Sequence, residues 1–229
     1  MKPIQLAIAV ALATSAIACG ASPPANGDHA GTTTPAVAPA HAIQAQVATT
    51  AAAPKLQADL RTLWNGHVAA TRNYALAVKA DDSAGADRAA QGVVANAKSI
   101  SGAVASFYGA PAGDAMLTLL GGHWGGVKAL TDAHRRGDAA AAAQALDALV
   151  ANAGEIAVFL AGANPHLPAD AVRGLLVAHG GHHAAQTQQI MAGDTAAEAQ
   201  TWVAMQAHMD VIADALAGAI AKQFPDKAS

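Results

Sequence analysis

Three histidines recur at a fixed interval, and this spacing constrains the fold more than any other feature of the chain. His67, His123 and His179 are each 56 residues apart. Four further columns follow the same interval: Leu63, Leu119, Leu175; Asp82, Asp138, Asp194; Ile100, Ile156, Ile212; and Asn96, Asn152, His208. Self-similarity at a fixed period is typical of repeat architectures. The sequence therefore predicts three tandem copies of one unit, at about 54–109, 110–165 and 166–222.

Each unit is predicted to be a hairpin of two long helices. Hydrophobic residues make up 53% of the chain and aromatic residues only 3%, a balance dominated by alanine that favours helix. Gly137-Asp138 and Gly193-Asp194 each join a helix stop to a helix N-cap, and Asp82 provides the same cap in the first unit. We therefore expect an all-α protein.

The histidines and the residues of the last column lie equally far from the hairpin turns. All six should therefore occupy one layer of the molecule. An open stack of hairpins would separate equivalent residues by about 10 Å or more, whereas closure around an axis would bring them together. We expect a closed six-helix, pseudo-threefold bundle over 54–225. The alternative is a four-helix-bundle-like core with extra helices.

The first 19 residues are typical of an export signal. Lys2 precedes an apolar run from Ile4 to Ile17, and Ala16-Ile17-Ala18-Cys19 resembles a bacterial lipobox, with Ala where Leu is usual. We expect lipidation of Cys19 and a periplasmic or outer-membrane-anchored lipoprotein. Ordinary signal-peptide cleavage, giving a secreted protein, is the alternative. Residues 20–53 are rich in Ala, Pro and Thr and are predicted to be a disordered tether.

The predicted histidine layer suits a transition metal. Neutral imidazole is a common ligand of Zn, Cu and Fe, and several buried imidazoles need partners. The predicted ligands are His67, His123, His179 and His208. Candidate additional ligands or supporting residues are Asn96, Asn152, Glu155, His183 and Asp214; His183 follows His179 by four residues, so both face one side of a helix.

The function expected from this layer is metal handling or sensing in the cell envelope, or small-molecule chemistry at the metal. The alternative is a metal-free structural or interaction module whose histidines are hydrogen-bonded core residues. Whether the protein is an enzyme stays open, because no nucleotide loop, nucleophile elbow or zincin motif is present. The net charge of −3 gives no case for nucleic acid.

Four segments carry a resemblance to a known family. They are Trp64-x-x-His67-x-x-x-Thr71-Arg72, Asn152-x-x-Glu155-Ile156-Ala157, Asn164-Pro165 and Gln223-Phe224-Pro225. The chain resembles, over most of 56–225, a family of small exported bacterial helical-bundle proteins without a characterised mechanism. The resemblance implies that positions matching the four predicted histidine ligands and Asp214 recur. Some members carry a glycosyltransferase label, but this sequence lacks the fold for a nucleotide sugar. Ala97 and Ser99 stand where the family tends to have Gln and Asp.

Overall fold

Residues 53–228 are described by a computed structural model, and over this range the chain forms six α-helices and no β-strand. The helices are α1 (Pro54–Lys79), α2 (Ser83–Tyr108), α3 (Ala110–Arg136), α4 (Ala139–Ala163), α5 (Ala169–Ala192) and α6 (Thr195–Gln223). The all-α prediction is confirmed. The predicted export signal, Cys19 and the tether up to residue 52 lie outside the described residues.

The predicted N-caps of α2, α4 and α6 are confirmed. The side chains of Asp82, Asp138 and Asp194 each accept a hydrogen bond from the backbone N–H three residues further on. Gly137 (φ 68°) and Gly193 (φ 76°) end α3 and α5 in the left-handed region that glycine enters without strain. Between α1 and α2 the equivalent residue is Asp81, at φ 55°. Aspartate is one of the few other residues that tolerate this conformation.

Three helices occupy the inside of the molecule. Each helix packs against the next one along the chain, and α6 also packs against α1. In addition α1, α3 and α5 contact one another. These are the helices that carry His67, His123 and His179, so their facing sides form the interior.

Apolar layers flank the histidines on these inner helices. Trp64, Leu120 and Leu176, each three residues before a histidine, are buried in the main hydrophobic core. A smaller core cluster lies on the other side, where α3 and α4 approach closely. A Cβ atom at Gly126 would lie 2.7 Å from Leu149 Cδ2, so a larger residue there would displace the buried Leu149 side chain.

Two of the described helices, α4 and α6, are long and apolar enough to cross a membrane by length and composition. Core helices of soluble proteins pass the same test. Both helices bury one face against their neighbours, with Leu149 and Ile156 among the buried residues of α4 and Met205 and Ile212 among those of α6.

Candidate metal centre

His67, His123 and His179 lie together between the three inner helices. Their side chains are 1%, 6% and 3% exposed. The ring centroid of His67 lies 5.7 Å from that of His123 and 6.1 Å from that of His179. The rings of His123 and His179 stack with their centroids 5.4 Å apart. Residues separated by 56 and 112 positions in the chain therefore lie in contact.

His183 is the fourth member of this cluster. It lies one turn after His179 on α5 and is 1% exposed, and its Nε2 lies 3.1 Å from Nε2 of His179. Each of the four histidines offers one ring nitrogen, and these atoms all lie within 4.8 Å of one another. We call His67, His123, His179 and His183 the histidine cluster.

Half of the cluster's eight ring nitrogens are buried without a hydrogen-bond partner among the described residues. Both ring nitrogens of His67 are buried without one, as are Nε2 of His123 and Nδ1 of His179. A buried polar atom without a partner costs about 1–3 kcal/mol. The cluster therefore carries an energetic cost that a shared ligand, using one nitrogen of each ring, would reduce.

Burial keeps these imidazoles neutral at physiological pH. It lowers the pKa of His67 to about 3, with a further contribution from the nearby His123. Burial likewise lowers the pKa of His123 to about 4, against a smaller opposing effect of Asn152. The pKa values of His179 and His183 fall well below the usual range through burial and then through neighbouring histidines. A neutral imidazole has a free lone pair, which is the form that binds metal.

The donor set fits a transition metal. Zn–N bonds of about 2.0–2.1 Å in a tetrahedron place the nitrogens about 3.3 Å apart. The pair from His179 and His183 is already 3.1 Å apart. For nitrogens up to 4.8 Å apart, contraction needs shifts on the order of 1 Å, which rotation of the rings about their broad terminal torsion can provide. All-imidazole ligation suits Zn, Cu or Fe.

His208, one of the four predicted ligands, lies outside the histidine cluster. Its Nε2 lies 2.9 Å from the backbone oxygen of Leu175, four residues before His179. Since a carbonyl only accepts, Nε2 carries the proton. The two asparagines of the same column make the equivalent bond: Asn96 Nδ2 donates to Leu63 (2.9 Å) and Asn152 Nδ2 to Leu119 (3.1 Å). The column therefore marks a bond that joins the two helices of a hairpin.

Glu155 and Asp214, the two candidate carboxylates, also lie apart from the cluster. Glu155 is exposed on α4. Asp214 forms a two-pronged pair with Arg61, at 2.7 Å and 2.5 Å. The guanidinium of Arg61 lowers the pKa of the Asp214 carboxyl.

The repeat pattern gives no indication that His183 belongs to the cluster. Its equivalents 56 and 112 residues earlier are Val127 and Thr71, so no column points to it. The available signal is the spacing of four residues from His179, which places both rings on one side of α5. The repeat supplies three members of the cluster and helix periodicity supplies the fourth.

Glycines make room for the asparagine bonds. A Cβ atom at Gly66 would lie 3.0 Å from Asn96 Nδ2, and one at Gly122 would lie 3.2 Å from Asn152 Nδ2. Both contacts are tighter than side chains usually allow. The glycine preceding each of the first two histidines thus lets the asparagine reach the helix backbone.

Neither protein-family models, nor curated proteins, nor solved structures give a match to this chain. The class of the protein therefore rests on its own residues. It is an all-α protein with a buried cluster of four histidines, from three helices, that could hold a metal ion.

Proposed function

We propose that this protein binds a transition metal ion through His67, His123, His179 and His183. The observation that carries the proposal is the convergence of four neutral, buried imidazoles whose ligand atoms lie within 4.8 Å of one another. Zn, Cu and Fe all suit such donors. The biological role is metal handling or sensing, or chemistry of a small molecule at the metal.

A purely structural role explains the cluster less well. A structural histidine usually satisfies both ring nitrogens by hydrogen bonds, as buried polar groups generally do. His67 has no partner for either nitrogen among the described residues. Asn96 and Asn152 each donate to a backbone carbonyl instead of an imidazole. A metal ion would use several of these nitrogens at once.

We also propose that the three hairpins form a closed, pseudo-threefold bundle of tandem repeats. The packing of α6 against α1 and the mutual contacts of α1, α3 and α5 support closure. The equivalent hydrogen bonds of Asn96, Asn152 and His208, each made to a residue 33 positions earlier, support the repeat.

Export and lipidation at Cys19 remain part of the proposal. They rest on the lipobox-like Ala16-Ile17-Ala18-Cys19 and the apolar run before it. The protein would then act in the cell envelope, tethered to a membrane surface. Mass spectrometry of Cys19 with and without the Cys19→Ala change tests the lipid directly.

Elemental analysis of the full chain, purified without a tag and dialysed against a mild chelator, tests the metal site. We expect about one equivalent of a single transition metal and none in the His123→Ala variant, because losing one of four ligands opens the site. Added Zn should raise the melting temperature. Saturation at 1,000 times the dissociation constant stabilises by about 4.1 kcal/mol.

The matched control is the His29→Ala/His41→Ala double variant, which removes two histidines of the predicted tether and should keep the metal. Absence of metal from the wild-type protein, together with a melting temperature unchanged by Zn or Cu, would refute the proposal. The histidine cluster would then belong to a metal-free structural module.

A further inference from the structure

An apolar cavity of about 30 Å³ lies against the histidine cluster. His67, His123 and His179 form part of its wall. The rest of the wall is aliphatic apart from Trp64, with residues from α1, α3, α4, α5 and α6 and from the loop before α5. No carboxylate, amide or hydroxyl side chain is among the lining residues.

The cavity and His183 lie on opposite sides of the three-histidine layer. The cavity wall includes Trp64, Leu120 and Leu176, each three residues before a histidine on its helix. His183 follows its layer histidine by four residues on α5 and does not line the cavity. The cavity therefore adjoins the face of the cluster that His183 leaves uncovered.

The size and lining of the cavity determine what it can hold. A single water needs about 10–15 Å³ of such volume, together with two to four polar partners, and apolar cavities stay dry and take apolar guests. A volume near 30 Å³ therefore has room for about two atoms, each about as large as a water molecule. The fitting occupant is a small neutral molecule without a strong hydrogen-bonding group.

The cavity wall is least covered between α5 and α6. Leu175 and Ala215 are half-buried, whereas the other aliphatic residues of the wall are buried. A small molecule would therefore enter at this edge, where the Leu175 side chain is the largest group that must move.

We propose that this cavity binds a neutral diatomic molecule such as O₂ or NO and presents it to the open face of the histidine cluster. The binding itself depends only on the cavity. Its relevance to a bound metal rests on the proposed function. If a metal is bound by the cluster, an apolar cavity on this side of it would exclude water and concentrate apolar gases next to the three histidines of the wall.

Xenon is the probe for the cavity, used with the metal-free full chain. Methyl-resolved NMR under xenon pressure should give saturable shifts confined to residues around Trp64 and Leu176. Leu176→Phe fills the cavity and should weaken xenon binding at least tenfold. Leu176→Ala enlarges the cavity at the same position and should strengthen binding.

Two results would overturn the cavity proposal. One is the absence of localised, saturable shifts in the wild-type protein, which needs no variant to interpret. The other is equal xenon binding in the wild type and in a folded Leu176→Phe or Ile212→Phe variant. Since no metal is present, neither result bears on metal binding itself.

Nitric oxide added to the ferrous-loaded protein tests the link to the metal. We expect the electron paramagnetic resonance signal of a ferrous-nitrosyl complex, weakened at least tenfold at limiting nitric oxide by Leu176→Phe with iron content unchanged. Normal iron content without a nitrosyl signal would overturn delivery and leave the metal site intact. Loss of iron binding by the wild type would instead count against the proposed function for this metal.

Discussion

Two buried polar clusters differ in how many of their polar atoms have hydrogen-bond partners. Near the hairpin turns, Glu198 accepts two hydrogen bonds from Arg72, at 2.7 Å and 2.8 Å, and a third from Gln186 at 3.0 Å. The Arg72 guanidinium also lies 5.1 Å from the centroid of the Trp202 ring. The histidine cluster, by contrast, leaves several ring nitrogens without partners among the described residues.

The difference separates a structural cluster from a candidate binding site. The Glu198 cluster joins α1, α5 and α6 and has paired charge with matched donors and acceptors. A satisfied network of this kind fixes one packing arrangement. The histidine cluster has ring nitrogens without partners among the described residues, which the proposed metal ion would use in part. The two clusters should therefore respond differently to pH, to substitution and to metal.

The largest expected difference is in acid. The pKa values of the four cluster histidines are lowered by burial, to about 3 for His67 and about 4 for His123, whereas the unfolded chain titrates near 6.5. Below that pH the unfolded state binds more protons, so stability falls as pH falls. Each histidine contributes up to about 1.4 kcal/mol per pH unit once the unfolded histidine is fully protonated. Urea unfolding of the metal-free protein at pH 7, 6 and 5 measures this loss.

Glu198 loses its contribution to stability in a lower pH range than the histidines do. Arg72 lowers the pKa of its carboxyl, so its contribution is present above the usual carboxyl range, about pH 4.3, and is lost only below it. The window between pH 6.5 and 5 thus reports the histidines. The measurement is made on the His134→Gln/His182→Gln variant as well. These two half-buried histidines also have lowered pKa values, so their removal leaves the cluster as the source of the pH dependence. Unfolding free energies that stay constant across this window would contradict the burial argument.

Removing the carboxylate of Glu198 should be the next largest effect. Glu198→Ala leaves Arg72 and Gln186 without their acceptor, and we expect a loss of about 2–3 kcal/mol because Arg72 retains partial access to solvent. Metal content should not change, since Glu198 lies outside the histidine cluster. Glu198→Gln keeps one acceptor and should lose less. Chemical denaturation and elemental analysis of both variants measure the two quantities.

A smaller effect is expected where Asn152 joins α4 to α3. Asn152→Ala removes one amide–carbonyl bond and should cost about 1 kcal/mol. Gly122→Ala should destabilise the wild type, because the new Cβ would meet Asn152 Nδ2 at 3.2 Å. In the Asn152→Ala background the same change should instead be tolerated and gain helix propensity. A double-mutant cycle measures this coupling, and additive effects would contradict the proposed contact.

The smallest effect is expected for His208→Asn. The variant places in the third unit the residue that the first two units have, and its amide can donate to the Leu175 carbonyl as Asn96 and Asn152 donate to theirs. We expect a change in unfolding free energy below about 0.5 kcal/mol and full retention of metal. Loss of metal in this variant would indicate that His208, and not His183, is the fourth ligand.

Much of the fold could be predicted from the sequence because several recurring residues have one strong local preference, for a helix start or a helix end. The aspartate column predicts three N-caps, and Gly137 and Gly193 predict two left-handed helix ends, all of which are confirmed. The burial of His67, His123 and His179 follows from helical spacing within each unit.

The membership of the histidine cluster could be predicted only in part. A column groups residues by equivalent position, but His208 is equivalent to two asparagines whose role is a hydrogen bond to the backbone, and it keeps that role. His183 has no polar equivalent beyond Thr71, and its position depends on how deeply α5 lies between α1 and α3. Such depth is a property of the packed helices and is not visible in one repeat.

The two ends of the described chain also meet. Ala53, before α1, and Ala228, after α6, are buried in the same small cluster with Ala221. A short linker from residue 228 to residue 53, with the chain opened at the Gly137–Asp138 turn, would give a circular permutant in which every helix keeps its neighbours. The histidines would then come in a new order along the chain while their arrangement in space stayed the same. The arrangement of the histidines would then depend on how the helices pack and not on the order in which the chain connects them.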